Sequence, residues 1–247
     1  MKGRVAVVSG GAGGIGVEIC RKLAASGATV VVGYNSSRGQ ALQLLETLAD
    51  TGGAHCALPM PVTDSAALAV MASEVEARYG RCDVLVNCAG TTRFVPHEDM
   101  DGLDDELFDR IFATNVRGAF AMVRALRTLL QRSDDGVVVN ISSIAAVSAM
   151  GSNVAYCASK AALDNMTRSL ARALAPSVRV VSVSPGLADT EFVKSLDRSW
   201  RDEQADRTPL KRLAWPHEVA DAVLAVISQL TFTTGAIIPV DGGRPLN

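Results

Sequence analysis

The sequence predicts an α/β fold: a doubly wound parallel sheet of about seven strands with helices on both faces. Three observations predict it. Short β-branched runs alternate with longer segments whose apolar residues recur every three or four positions. The runs are apolar on both faces, as strands covered from above and below are. No Pro/Ser/Gly-rich linker, internal repeat or low-complexity tract divides the 247 residues, so the chain reads as a single domain over 1–247.

Each element follows in order. "RVAVVS" at Arg4–Ser9 is the first strand, and the pattern from Val17 to Leu23 the first helix. "TVVVG" at Thr29–Gly33 leads to a helix over Ala41 to Leu48, and "HCALP" at His55–Pro59 to one over Leu68 to Val75. "CDVLVN" at Cys82–Asn87 precedes a long helical pattern from Leu107 to Leu130. "GVVVNIS" at Gly136–Ser142 is followed by Ala161 to Leu174, and "VRVVSVS" at Val178–Ser184 by Val219 to Ile227. "GAIIPV" at Gly235–Val240 closes the sheet. Such alternation implies right-handed crossovers between parallel strands. Two segments break the rhythm: Thr91–Asp105, polar and acidic, and Ala188–Arg212, where charges mix with apolar residues. Both follow strand C-terminal ends, where open α/β sheets bind ligands. The length of the second marks it as a substrate-covering segment near 188–212.

Composition narrows the function classes. Hydrophobic residues make up 48%, charged residues 20%, and the net charge is −2, as in a soluble protein with a substantial core. No basic excess points to nucleic acid. No apolar run approaches the roughly 18 residues that span a bilayer, and the first residues lack the pattern of a signal peptide, so no membrane partner is expected. The five cysteines are scattered without metal-ligand spacing; they read as reduced thiols of a cytoplasmic protein without a metal.

The first strand runs into "SGGAGGIGVEIC", with Gly10, Gly14 and Gly16 around a tight turn and Ile15 opening a helix. Glycine serves where backbone turns sharply and where a pyrophosphate must approach main-chain N–H groups without a Cβ in the way. The helix N-terminus adds donors and partial positive charge. Placed directly after an N-terminal strand, this turn marks a dinucleotide site, making the fold Rossmann-type and the single domain dinucleotide-binding; its catalytic residues follow from the resemblance given next. For NAD(H) an acid is expected at the end of the second strand, to receive the ribose 2′-hydroxyl. Here no carboxylate appears before Glu46; Asn35, Ser36, Ser37 and Arg38 stand there instead. A serine/arginine pocket suits a 2′-phosphate, which favours NADP(H) and leaves NAD(H) possible. Alternatively, a serine caps the next helix and Arg38 is solvated.

With "NCAG" at Asn87–Gly90, "TNV" at Thr114–Val116, "NISS" at Asn140–Ser143, Tyr156-x-x-x-Lys160, "SPG" at Ser184–Gly186 and "DGG" near the end, the chain resembles the short-chain dehydrogenase/reductase family along essentially its whole length, most of all its 3-oxoacyl reductases. The resemblance implies a catalytic tetrad of Asn115, Ser143, Tyr156 and Lys160. Ser142 is the alternative serine, and the family's usual spacing selects Ser143. It also implies that Asn87, Ala89 and Gly90 lie beside the adenosine ribose, that Val62 contacts adenine, and that Pro185, Gly186, Leu187 and Thr190 pass the nicotinamide. Thr190 reads equally well as a helix N-cap.

The chemistry agrees. Carbonyl reduction moves a hydride to carbon and a proton to oxygen. A free phenol titrates near pH 10, so it needs a cation to trade protons near neutrality. Lys160, one turn from Tyr156 on the same helix face, is that cation; it also suits the nicotinamide ribose hydroxyls. Ser143 donates a hydrogen bond to the substrate oxygen, Asn115 steadies a water that reconnects Lys160 to solvent, and the small residues Cys157, Ala158 and Ser159 leave room for ligands. Cys88 and Pro61 depart from the family pattern; Pro61 removes an adenine contact. Asp134 and Asp135 occupy a stretch where carrier-dependent members tend to be basic, which argues against an acidic carrier partner. The expected activity is NADP(H)-dependent hydride transfer between nicotinamide and a small carbonyl or secondary alcohol. The alternative is a catalytically silent nucleotide-binding sensor or scaffold. The resemblance further implies a homo-oligomer, a dimer or tetramer, built through the Leu107–Leu130 and Ala155–Leu174 helices.

Overall fold

The computed structural model describes residues 1–50 and 52–246. Seven strands form its sheet: β1 (Val5–Ser9), β2 (Thr29–Tyr34), β3 (Cys56–Pro59), β4 (Val84–Asn87), β5 (Gly136–Ile141), β6 (Val178–Pro185) and β7 (Ile237–Val240). All pairings are parallel, in the order β3-β2-β1-β4-β5-β6-β7. Between them run α1 (Gly14–Ala25), α2 (Arg38–Thr47), α3 (Ser65–Tyr79), α4 (Asp105–Phe112), α5 (Ala119–Gln131), α6 (Ala145–Ser148), α7 (Val154–Leu174), α8 (Glu191–Lys194), α9 (Arg198–Asp206) and α10 (Pro216–Ser228). The predicted doubly wound α/β architecture is what forms.

Successive strand residues feed two separate cores. In β1, Ala6 and Val8 face the layer built by α1, α2 and α10, around Ile19, Leu23, Val223 and Ile227. Val5 and Val7 face the layer built by α3, α5 and α7, around Leu68, Val75, Leu126 and Leu174. Each fully buried aliphatic side chain contributes about 1.5–3 kcal/mol. Two-sided burial is therefore why the central strands carry no polar face. The edge strands differ from expectation: Pro59 of β3 and Pro239 of β7 are exposed, and the remainder of β7 is only half-buried. A sheet edge has a neighbour on one side only, and an exposed proline leaves no unpaired N–H there.

The long helix predicted over Leu107–Leu130 is continuous but not uniform. Residues Ala113–Gly118 between α4 and α5 form a π-helical turn, and Asn115 lies inside it, buried. Such turns insert one extra residue per turn and occur often at functional sites. Among the described residues no helix is long and apolar enough to cross a membrane.

The chain leaves β1 toward β2 on one side and returns through β4 on the other. The C-terminal ends of β1 and β4 therefore border a crevice, the place where open α/β sheets take their ligands. The predicted site residues gather along this C-terminal edge.

Candidate active site

The floor is the glycine turn between β1 and α1. Gly10 has φ 65° and lies so close to the segment after β4 that a Cβ would stand 2.8 Å from the Ala89 backbone. A Cβ on Gly16 would stand 2.2 Å from the Gly10 carbonyl oxygen. Both positions need glycine for close approach of two backbones. Gly13 caps α1 with no side-chain bond, and no acidic residue stands in the first turn. The first amides of α1, around Ile15, thus keep their hydrogen-bonding capacity for an anion. Thr190 faces this turn, its Cγ2 being 3.2 Å from where a Cβ on Gly14 would lie. Its hydroxyl also accepts a hydrogen bond from the Val193 amide at 3.4 Å, so Thr190 does cap α8.

Ser143, Tyr156 and Lys160, three of the predicted tetrad, lie where β5 and α7 come together. Lys160 is buried, and its Nζ donates to the Ile141 carbonyl at 2.8 Å and stands 5.7 Å from the centre of the Tyr156 ring. Two residues past Ile141, Ser143 remains half-accessible, its Oγ accepting from the Ala145 amide at 3.2 Å. Ser142 is buried and turned toward the Lys160 carbonyl at 3.5 Å. Of the two candidate serines, Ser143 is therefore the one on the open side. The Ile144 amide bonds to the Pro185 carbonyl at 3.0 Å and the Gly186 amide to Val240 at 3.0 Å, placing the serine loop beside Pro185–Leu187.

Asn115 holds two elements together. Its Oδ1 accepts from the Thr91 amide at 2.8 Å, and its Nδ2 donates to the Thr91 carbonyl at 3.0 Å and to Ser159 Oγ at 3.1 Å. Both amide hydrogens are engaged by protein, so the Asn115 side chain clamps the Thr91 backbone to α7. Ser159 in turn donates to the Tyr156 carbonyl at 2.8 Å. The small residues after Tyr156 are likewise used for packing: a Cβ on Gly151 would stand 2.9 Å from Cys157 Sγ and 3.0 Å from Tyr156 Cδ1. Only Ala158 is exposed.

Sequence reasoning missed three groups. Asn153 caps α7: its Oδ1 accepts from the Tyr156 amide at 2.7 Å, while Nδ2 donates to the Arg93 carbonyl at 2.7 Å. An Asn three residues before a helical Tyr is a readable capping signal. Gly151 offers no signal before its neighbours are known. Asp164, one turn past Lys160, is buried with Oδ1 unpartnered; Ser142 and Ser182 hydroxyls adjoin it. Burial raises its pKa above the ordinary carboxylate value, opposed by those hydroxyls and by Arg168 and Lys160.

The remaining predicted residues occupy the same edge. Asn87 is buried and donates to Asn140 Oδ1 at 2.9 Å, joining β4 to β5. A Cβ on Gly90 would lie 3.9 Å from Lys160 Nζ, so this segment connects the glycine turn to the Tyr156–Lys160 pair. Val62 is buried against Gly118 of the π turn. Burial lifts the Cys88 thiol to about 11, with Lys160 pulling it down in part, so Cys88 stays a neutral thiol. Asp134 and Asp135 lie at the opposite, N-terminal end of β5, where Asp135 pairs with Arg4 and Arg179 at 3.3 and 3.2 Å. Within one chain they do not flank the site, and the argument they supplied against an acidic carrier lapses. Among the described residues no group of three or more His, Cys, Asp or Glu side chains is placed to hold a metal.

A glycine turn opening a helix, beside a serine, a tyrosine and a buried lysine at the C-terminal edge of a parallel sheet, is the arrangement of an α/β oxidoreductase. The chain belongs to the short-chain dehydrogenase/reductase family and is 3-oxoacyl reductase-like: residues 10–244 match the family model described as enoyl-(acyl carrier protein) reductase. It is 38% identical to a cis-4-hydroxycyclohexanecarboxylate dehydrogenase of Sinomonas cyclohexanicum, covering 97% of this chain and 96% of that one. It is 31% identical to a 3-oxoacyl-[acyl-carrier-protein] reductase of Thermotoga maritima, covering 98% of each. Among solved structures, a 3-ketoacyl-(acyl-carrier-protein) reductase from Brucella melitensis complexed with NADH superposes with a TM-score of 0.88 at 28% identity, covering 99% of both chains.

Proposed function

We propose that the protein is an NADP(H)-dependent oxidoreductase that interconverts a ketone and a secondary alcohol, with Tyr156 as general acid and base. The observation that carries this reading is the Lys160 ammonium, buried 5.7 Å from the Tyr156 ring centre and pinned to Ile141 two residues before Ser143. A buried cation is costly unless its surroundings use it; here it faces a phenol and the carbonyl end of β5.

The residues fit a dinucleotide. The amides opening α1 are uncapped, with Gly10, Gly14, Ile15 and Gly16 around them, and would hold the pyrophosphate. Asn87, Ala89, Gly90 and Val62 would border the adenosine half, and Pro185, Gly186, Leu187 and Thr190 the nicotinamide half. When bound, the nicotinamide supplies the hydride. Ser37 precedes α2 without a side-chain cap bond, and Asn35, Ser36 and Arg38 are exposed at the end of β2. Their free hydroxyl and guanidinium groups support a 2′-phosphate, hence NADP(H) over NAD(H).

In reduction, Ser143 Oγ donates to the substrate oxygen and holds it against the Tyr156 hydroxyl. Tyr156 then delivers its proton as charge develops on that oxygen, and the Lys160 ammonium stabilises the phenolate left behind. Asn115 and Asn153 keep Tyr156 at its height by fixing α7 to residues 91–93. The covering segment around 188–212 shields the substrate; an Asp189–Arg201 ion pair at 2.8 Å braces it internally, and Arg244, donating to the Gln204 carbonyl at 2.6 Å, ties it to the C-terminal residues.

An exposed groove of about 540 Å³ along Asp109, Phe112, Val116, Phe120 and Met166 supports a homo-oligomer. In a two-fold antiparallel pairing of these helices, Asp109 of one copy would meet Arg117 of the other. The deciding experiment is a panel of ketones and alcohols followed by nicotinamide absorbance, with NADPH and NADH in parallel. Cofactor binding without turnover of any member would instead leave the silent nucleotide-binding protein.

A further inference from the structure

Four ionisable side chains follow one another at every fourth residue of α7: Tyr156, Lys160, Asp164 and Arg168. Resting on the oxidoreductase reading, we propose that Asp164 is a positioning residue of this site: a buried carboxylate that keeps the Lys160 ammonium charged beside Tyr156 and thereby sets the pH range of turnover.

Residues four apart lie one above the other on a helix, their Cβ atoms about 5–6 Å apart. Tyr156 is half-buried, Lys160 and Asp164 are buried, and Arg168 is exposed. The stripe therefore runs from the site through the interior to the surface as phenol, cation, anion, cation. Lys160 Nζ donates to the Ile141 carbonyl at 2.8 Å, which satisfies one of its three donors and leaves its charge unbalanced. A buried ammonium without an opposite charge nearby gives up its proton more readily, and with it the hold on a phenolate. Asp164 supplies that opposite charge from one turn away.

Hydrogen bonding does not account for the carboxyl. Its Oδ1 is buried without a partner. Ser142 of β5 and Ser182 of β6 adjoin it, but each hydroxyl has another neighbour to serve. Ser142 donates to the Lys160 carbonyl at 3.5 Å, and Ser182 meets the Thr167 hydroxyl at 2.8 Å. Thr167 gives its own hydrogen to the Leu163 carbonyl at 2.9 Å, so the hydrogen between the two hydroxyls comes from Ser182. What offsets the burial of Asp164 is charge. Lys160 and Arg168 face it from its own helix, while β5 and β6 present the two neutral hydroxyls. Cys88, after β4, faces Lys160 as a neutral thiol. An acid that served packing alone would be tied to the sheet; this one is balanced along the helix.

The test is the pH profile of kcat/KM for oxidation of a secondary alcohol at saturating NADP+, with cyclohexanol as the first probe and other alcohols of the panel after it. Wild type is compared with Asp164→Asn, which keeps the shape, and Asp164→Leu, which fills the space without a polar group. Either variant suffices once circular dichroism shows it folded. Oxidation needs the phenolate and the ammonium together, so the acid limb follows Tyr156 and the alkaline limb Lys160. Removing a negative charge from behind them eases the loss of both protons. Both limbs are expected to move to lower pH, the alkaline limb by about half a unit or more, because Lys160 is the nearer group. Limbs that stay in place while the rate falls at every pH would make Asp164 a packing residue and overturn the proposal, as would a move to higher pH. Oxidation of no alcohol by wild type while NADP+ still binds removes the oxidoreductase reading itself, and this role with it.

Discussion

Asn153 accepts a hydrogen bond from the backbone amide of Tyr156 at 2.7 Å and donates from the same side chain to the carbonyl of Arg93 at 2.7 Å. One buried amide thus starts the helix that bears the phenol and holds down the loop that faces it. The two halves of the amide are separable by substitution. Asn153→Ser keeps a capping oxygen and loses the amide NH2 that reaches the Arg93 carbonyl; Asn153→Ala loses both. The alanine variant is expected to lose about 1 kcal/mol of stability from the cap alone, and so to melt at a lower temperature. Both variants are expected to lower kcat/KM, because the Arg93 carbonyl is released in each. Thermal melts and steady-state kinetics on the same preparations check this; equal melting temperatures for the two variants would refute the capping role.

Tyr156→Phe removes the proposed proton donor and leaves the ring. Turnover is expected to fall about 100- to 10,000-fold, while NADPH binding, read by fluorescence titration, stays at the wild-type level. A variant that keeps one-tenth of wild-type turnover would move the proton to another group.

Gly151→Ala adds a Cβ 3.0 Å from the edge of the Tyr156 ring and 2.9 Å from Cys157 Sγ. The ring must yield. Turnover is expected to fall about tenfold or more, since small misplacements of a reacting group are costly. The fold, followed by circular dichroism, is expected to persist.

Arg38→Ala tests the cofactor preference. A charge-assisted hydrogen bond contributes about 1.5–3 kcal/mol, so NADPH affinity is expected to weaken about 10- to 100-fold. NADH affinity is expected to stay unchanged. Parallel loss for both cofactors would place Arg38 outside the 2′-phosphate pocket.

Asp164 ties stability to pH. Burial raises its folded-state pKa above the unfolded value. The unfolded chain therefore releases its proton first as pH rises, and the folded state loses relative stability from the unfolded pKa up through the folded one. Below that window the contribution is complete. Asp164→Asn cannot ionise, so the melting temperature of the variant minus that of wild type is expected to grow as pH rises across the window. A difference that is flat with pH would mean Asp164 titrates alike in both states.

Much of this was legible along the chain. Strand positions followed from runs such as Val137–Val139, because a strand buried on both faces has no polar alternation to hide. The glycine turn was legible because Gly10 and Gly16 stand where two backbones touch, a demand only one residue type meets. Tyr156 and Lys160 were legible because helical spacing alone puts them on one face. These are local demands, and local demands leave a mark on residue type.

Tertiary structure decided the rest. Ser142 and Ser143 are identical in kind, and only the packing of β5 against α7 turns one toward the Lys160 carbonyl and leaves the other open. Asp134 and Asp135 sit close in sequence to Ser143, yet a strand's length puts them at the far end of the sheet. Asn115 became a clamp because a π turn and the Thr91 backbone converge on it. Each of these outcomes depends on which distant segment arrives alongside, and a linear pattern records a residue's chemistry but not its neighbours.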